Sequence, residues 1–122
     1  MPYLKKLETH TDSRGSLTVV EKELPFEVKR LYYIYNLDGS IRGKHRHKKT
    51  IQAAVAVSGS CSIFCQKSNG EVEEYKLTNP DECLIIMPED YHWMKNFTSN
   101  TILLVVASEP FDPQDYIYEA YE

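Results

Sequence analysis

Short β-rich runs recur along this chain between turn signals, and that alternation leaves few folds open. The runs are SLTVVE, VKRLYYIYNL, TIQAAVAV, CSIFCQK, EVEEYKL, ECLIIM, HWMKNF and TILLVVAS. The breaks are Asp38-Gly39, Ser58-Gly59, Asn69-Gly70, Asn79-Pro80-Asp81 and Pro88-Glu89-Asp90. Strands this short and this regularly spaced predict an all-β antiparallel sandwich or barrel. QKSNGEVEEY reads as a hairpin closed by a tight type I′ turn, because Asn-Gly accepts positive φ. Only the tail EPFDPQDYIYEAYE has a weak helical tendency. With no linker or repeat to divide it, the chain is expected to be a single domain over residues 1–122.

At 122 residues the chain is large enough to bury roughly two-thirds of its unfolded surface. A net charge of -4 without a long basic block argues against nucleic acid as a partner. The longest apolar run, TILLVVA, is far short of the ~20 residues of a membrane span. The N-terminus MPYLKKLETH has no apolar signal-peptide core. Cys61, Cys65 and Cys83 are an odd set, read as reduced thiols packed like small hydrophobes. The expected location is the cytoplasm.

The segment GSIRGKHRHKKTIQ raises the chemical question. Arg42, Lys44, Arg46, Lys48 and Lys49 make a positive spot in an acidic chain, suited to an anionic small molecule or to a solvated loop. His45 and His47 stand two apart, so on an extended strand both imidazoles point the same way. Gly39 lies six residues before His45, Gln52 five after His47, and Gly59 seven beyond that. Further on, Pro88, His92 and Asn96 follow at intervals of four. In VKRLYYIYN, Leu31, Tyr33 and Tyr35 share one face, and Arg30, Tyr32, Ile34 and Asn36 the other. Parity alone does not say which face is inside.

These spacings resemble the two motifs of the cupin superfamily. Gly39, His45, His47 and Gly59 match the first, with Gln52 at the position of its glutamate. Pro88, His92 and Asn96 match the second, without its usual glycine. The resemblance implies a double-stranded β-helix, the jelly-roll cupin barrel. Many cupins bind a metal there through three His and one Glu. A neutral Gln52 among cations suits a hard divalent ion poorly, so no metal and no cofactor are expected. Across most of the chain, DSRGSL, VKRLYYIYN, RGKHRHKKT, SGSC, LLVVASE and FDPQDYI are similar to the sugar-nucleotide 3,4-ketoisomerases. That resemblance implies a dTDP-linked 4-keto-6-deoxyhexose as substrate. The 3-keto product would feed an aminotransferase making 3-amino-3,6-dideoxyhexoses for surface glycans. A more distant likeness is to the 3,5-epimerase of dTDP-rhamnose synthesis.

The implied reaction is a tautomerisation through an enediol, which needs a base of near-neutral pKa, a proton donor and stabilisation of an oxyanion. By resemblance His45 is the base, with His47 orienting hydroxyls or relaying a proton. The reverse assignment stays open, because adjacent imidazoles titrate as a pair. Tyr33 is expected as the second acid/base group, with Tyr32 as the alternative and Tyr35 on the face of Tyr33. Arg42 offers a fork to an oxyanion or phosphate. Arg14 resembles an arginine that meets the nucleotide pyrophosphate across a subunit boundary, and a homodimer is expected because open edge strands in small jelly rolls are commonly covered by a partner. Gln52 is assigned to the sugar, and His92 to the substrate or to the barrel wall. Arg46 and Trp93 depart from the family pattern and are expected to reshape the pocket. The configuration of the product at carbon 4 is left open. The competing readings are a metal-dependent cupin with a three-His site, and a non-catalytic sugar-binding cupin.

Overall fold

The apolar residues recur with the period of strands, and strands are what they form. The computed structural model describes all residues from Met1 to Glu122. Its twelve strands are β1 (Tyr3–Lys6), β2 (Glu8–Asp12), β3 (Gly15–Val19), β4 (Arg30–Ile34), β5 (Arg42–His47), β6 (Gln52–Ser58), β7 (Cys61–Gln66), β8 (Val72–Leu77), β9 (Glu82–Ile86), β10 (Tyr91–Lys95), β11 (Ile102–Ala107) and β12 (Tyr116–Ile117). They pair antiparallel into two five-stranded sheets, ordered β1-β9-β6-β11-β4 and β12-β5-β10-β7-β8. The β2-β3 hairpin forms a separate two-stranded sheet. This is the expected all-β architecture of two antiparallel sheets, and no helix is long and apolar enough to cross a membrane.

Two apolar clusters hold it together. Ala54, Ile63, Cys65, Leu77, Leu84 and Leu103 belong to the cluster between the sheets. Leu7, Leu24, Ala53, Val55, Ile85 and Val106 form a second cluster against the outer face of the first sheet. Strand β6 therefore contacts apolar groups on both faces, which is why QAAVAV reads as a continuous run rather than an alternation. Small alanines let both layers approach it. Each fully buried leucine or isoleucine here is worth about 1.5–3 kcal/mol. All three cysteines are free and buried. Burial pushes the Cys61 and Cys83 thiols up to about 11, so they behave as hydrophobes.

Three expectations are corrected. The β7-β8 loop is wider than a two-residue turn: Lys67 N–H bonds the Glu71 carbonyl at 2.8 Å, Gly70 N–H bonds Lys67 at 2.9 Å, and only Gly70 takes positive φ. The tail is one 3₁₀ turn, Pro113–Asp115, capped by Asp112 and followed by β12. On β4, Tyr32 and Ile34 pack against the inter-sheet core, while Tyr33 and Tyr35 are 59% and 57% exposed. Tyr33, the expected acid/base group, therefore lies on the outer face and its alternative Tyr32 on the inner one.

Candidate functional site

A β-bulge aims the two histidines of β5 inward. Arg42 lies opposite Met94 and Gly43 opposite Trp93, yet His45 rather than Lys44 lies opposite His92. Lys44 is the extra residue, at φ 65°, next to Gly43 at φ 90°. Unbroken alternation would have turned Lys44 into the barrel and the histidines out. Gly43 is required twice over: by its φ, and because a Cβ there would lie 3.0 Å from the His92 carbonyl oxygen.

The result is a cluster of three imidazoles. The ring centroids of His45 lie 5.0 Å from His47 and 4.8 Å from His92, both edge-on. One ligand-capable nitrogen from each ring lies within 4.8 Å of the others. His92 is fixed by its Nδ1, which donates to the Asp90 carbonyl at 3.1 Å. That same turn, through Pro88, accepts the backbone N–H of His47 at 2.8 Å. Burial and mutual repulsion hold His45 down at about 4 and His92 at about 3. Both are neutral at physiological pH.

His47 differs from the other two in having a carboxylate behind it. Its Nδ1 lies 2.9 Å from Asp115 Oδ2, and both side chains are almost fully buried. Asp115 also accepts the Thr50 hydroxyl and the backbone N–H groups of Lys48 and Lys49 at 3.1 and 2.9 Å. Burial opposes charge on Asp115, but these donors outweigh it and hold its pKa below the usual carboxylate range. An ionised acceptor at Nδ1 fixes the proton there and leaves Nε2 as a lone pair. That Nε2 is buried and has no protein partner. Burial lowers the pKa of His47, and Asp115 moderates the fall.

Facing this dyad is a second layer from β4, β6 and β12. Tyr116 has its ring centroid 4.6 Å from His47 and 4.8 Å from His45. Gln52 Nε2 donates to the Tyr32 hydroxyl at 3.0 Å, leaving Gln52 Oε1 buried without a partner. The Tyr32 proton is then free to be donated onward. Burial raises the Tyr32 pKa, so the phenol stays protonated. The Arg30 guanidinium lies over the Tyr32 ring at 4.5 Å, and its Nη1 donates to the Tyr116 hydroxyl at 3.4 Å.

The sequence-derived candidates thus fall into two groups. His45, His47, His92, Gln52 and Tyr32 face the interior together. Arg42 is exposed, close enough for its charge to be felt at Tyr32, and shares a surface concavity with Tyr35. Tyr33 and Tyr35 stack on each other outside the barrel, centroids 5.8 Å apart. Arg14 sits at the hairpin, paired with Asp12 at 2.6 Å, with its side chain 89% exposed. Two expected pocket residues face away from it. Trp93 stacks on Phe64 at 5.5 Å, and Arg46 lies over Tyr121 at 4.3 Å. Both follow or precede an inward histidine, so alternation turns them out. Asp115, Tyr116 and Arg30 were not among the sequence candidates. FDPQD held a legible signal for the first, an Asp-Pro turn start ahead of a second aspartate.

The donor set at the cluster is three neutral imidazoles with no carboxylate on the inner side, which suits a borderline cation such as zinc better than a hard one. Known proteins place the cluster in context. The model of the family described as "FdtA: WxcM-like, C-terminal" matches residues 2–122. A TDP-4-oxo-6-deoxy-alpha-D-glucose-3,4-oxoisomerase from Aneurinibacillus thermoaerophilus is 40% identical over 109 residues, covering 87% of this chain and 78% of the relative. The WlaRB TDP-quinovose 3,4-ketoisomerase from Campylobacter jejuni superposes with a TM-score of 0.91 at 39% identity, over 97% of this chain and 92% of that one. QdtA, a sugar 3,4-ketoisomerase from Thermoanaerobacterium thermosaccharolyticum solved with TDP, gives 0.92 at 36% identity, over 97% and 88%. A histidine-to-asparagine variant of that protein was crystallised with TDP-4-keto-6-deoxyglucose.

Proposed function

The chain belongs to the FdtA, WxcM-like family, and from that premise we propose that it is a TDP-sugar 3,4-ketoisomerase acting on TDP-4-keto-6-deoxyglucose. Its product is the 3-keto isomer, which an aminotransferase converts to a 3-amino-3,6-dideoxyhexose for surface glycans. The observation that carries the chemistry is the buried His47-Asp115 pair, with an unpartnered Nε2 facing the neighbouring imidazoles.

His47 Nε2 removes the hydrogen from carbon 3, which the adjacent ketone already acidifies. The C–H electron pair forms the carbon 3–carbon 4 double bond, and the carbonyl electrons move to oxygen 4. The proton on His47 passes to oxygen 4, giving the enediol. The carbon–carbon double bond then takes the Tyr32 proton at carbon 4, while the 3-hydroxyl gives its proton to Tyr32 and its O–H electron pair forms the carbon 3 carbonyl. Atoms and electrons balance without an oxidant. His45 and His92, neutral in the ground state, orient sugar hydroxyls, and Gln52 holds the Tyr32 hydroxyl. Arg42 and Arg14 serve the diphosphate, Arg14 from a second copy. The β2-β3 hairpin supports this last role: it pairs with neither main sheet, exposes Leu17 at 61%, and would be marginal alone. β4 is a sheet edge with Leu31, Tyr33 and Tyr35 exposed beside it, which suits a homodimer. A nucleotide-sugar substrate and three reduced thiols fit the cytoplasm.

A substrate carrying ¹³C at carbon 4 tests the activity. The ketone signal should be replaced by a carbinol at the labelled carbon and an unlabelled ketone at carbon 3; persistence of the labelled ketone overturns the proposal. The three-His cluster favours one second reading, a metal-dependent cupin. Under that reading turnover is lost on chelation and restored by added zinc, manganese or iron.

A further inference from the structure

Arg30 is the one guanidinium held inside the imidazole layer, and the mechanism above gives it no task. It lies on the inner face of β4, half-buried, sandwiched between the rings of Tyr32 at 4.5 Å and Phe111 at 5.2 Å. Its hydrogen-bond partner is the Tyr116 hydroxyl at 3.4 Å, and no carboxylate lies within ion-pair distance of it. A half-buried cation usually has an anion beside it, since desolvation without a partner is costly. The carboxylate behind His47, Asp115, is committed to His47 and Thr50. The charge of Arg30 is nonetheless felt at His47, where it disfavours the imidazolium.

We propose that Arg30 is a catalytic residue: its guanidinium, with the Tyr116 hydroxyl it polarises, binds the enediolate oxygen as negative charge moves from oxygen 4 to oxygen 3. Position separates this role from diphosphate binding. Arg30 and Tyr116 lie in the layer of the base, with Tyr116 4.6 Å from the His47 ring. Arg14, Arg42, Lys48 and Lys49 lie at the surface, where a hydrated diphosphate needs no desolvation. The sandwich of aromatic rings also preorganises the fork, so no side chain has to be ordered when the charge appears. The proposal rests on the ketoisomerase reading and adds an oxyanion contact to it.

The test compares Arg30→Gln and Arg30→Lys with the unaltered protein. Two quantities are read: the rate of deuterium incorporation from TDP-4-keto-6-deoxyglucose in D2O, and the affinity for TDP by calorimetry. Losing one oxyanion donor should slow Arg30→Gln by about 10²- to 10³-fold, with TDP affinity within about twofold, and Arg30→Lys should recover part of the rate. Arg30→Gln with full rate, or with rate kept and TDP affinity lost, overturns the proposal. If Arg30→Gln does not fold, Arg30→Lys at full rate does so equally. An unaltered protein that incorporates no deuterium would instead defeat the ketoisomerase reading itself.

Discussion

At the scale of single residues, the chemistry turns on which imidazole carries a carboxylate. Asp115 bonds Nδ1 of His47 and not of His45, so His47 is the better base and His45 a neighbour in its field. His47→Asn should therefore stop turnover, and Asp115→Asn should lower kcat by about 10²- to 10⁴-fold with a smaller change in KM. His45→Asn should leave measurable activity; steady-state kinetics on the three variants orders them. The pH profile follows from the same geometry. Burial lowers the His47 pKa below its ordinary value near 6.5. Activity should hold through neutral pH and fall on the acid side only below that value, as His47 takes up a proton and loses its lone pair. An acidic limb at or above the ordinary histidine range would contradict the assignment.

Among the elements, β5 and its bulge matter most. Gly43→Ala forces a Cβ to within 3.0 Å of the His92 backbone and strains φ 90°. It should cost about 1–3 kcal/mol and lower kcat as well, because His45 and His92 face each other across that bulge; thermal melts and kinetics read the two effects. The bulge also marks what the sequence could tell and what it could not. The i, i+2 spacing of His45 and His47 placed both on one face, and the glycine and proline spacings placed that face on a barrel strand. No residue pattern announced that Lys44 would be the extra residue, since the bulge arises in the pairing with β10, far along the chain. On β4 the sequence offered two faces of equal quality, and only contact with Leu103 and Val105 of β11 and the core beneath shows that Tyr32, not Tyr33, looks inward. FDPQD marked a turn at Asp115, but its role as the partner of His47 was hidden because the two are distant in the chain. The 3₁₀ turn at Pro113 and the pairing of β12 with β5 bring the two together.

For the whole molecule, two properties follow from the same layer of groups. The three histidines are buried neutral, so the unfolded chain binds more protons than the folded one below its ordinary histidine pKa near 6.5. Stability should be lost as pH falls from there toward about 4, where His45 titrates in the folded state, and further toward about 3 for His92. Urea midpoints across this range should decline, and more shallowly in His92→Asn. A hairpin that pairs with neither main sheet predicts a dimer with composite sites. Arg14→Ala and His47→Asn proteins, each inactive, should regain activity when unfolded together and refolded, because one of the two sites in a mixed dimer is intact. Failure to complement, together with a monomeric mass by light scattering, would remove Arg14 from the site. The central claim, removal of the carbon 3 proton by His47, has one direct measurement: ¹H NMR of TDP-4-keto-6-deoxyglucose in D2O with the unaltered protein and with His47→Asn. The account predicts one deuterium at carbon 4 with a new 3-keto species for the first, and neither for the second. Equal incorporation by the two proteins would contradict it.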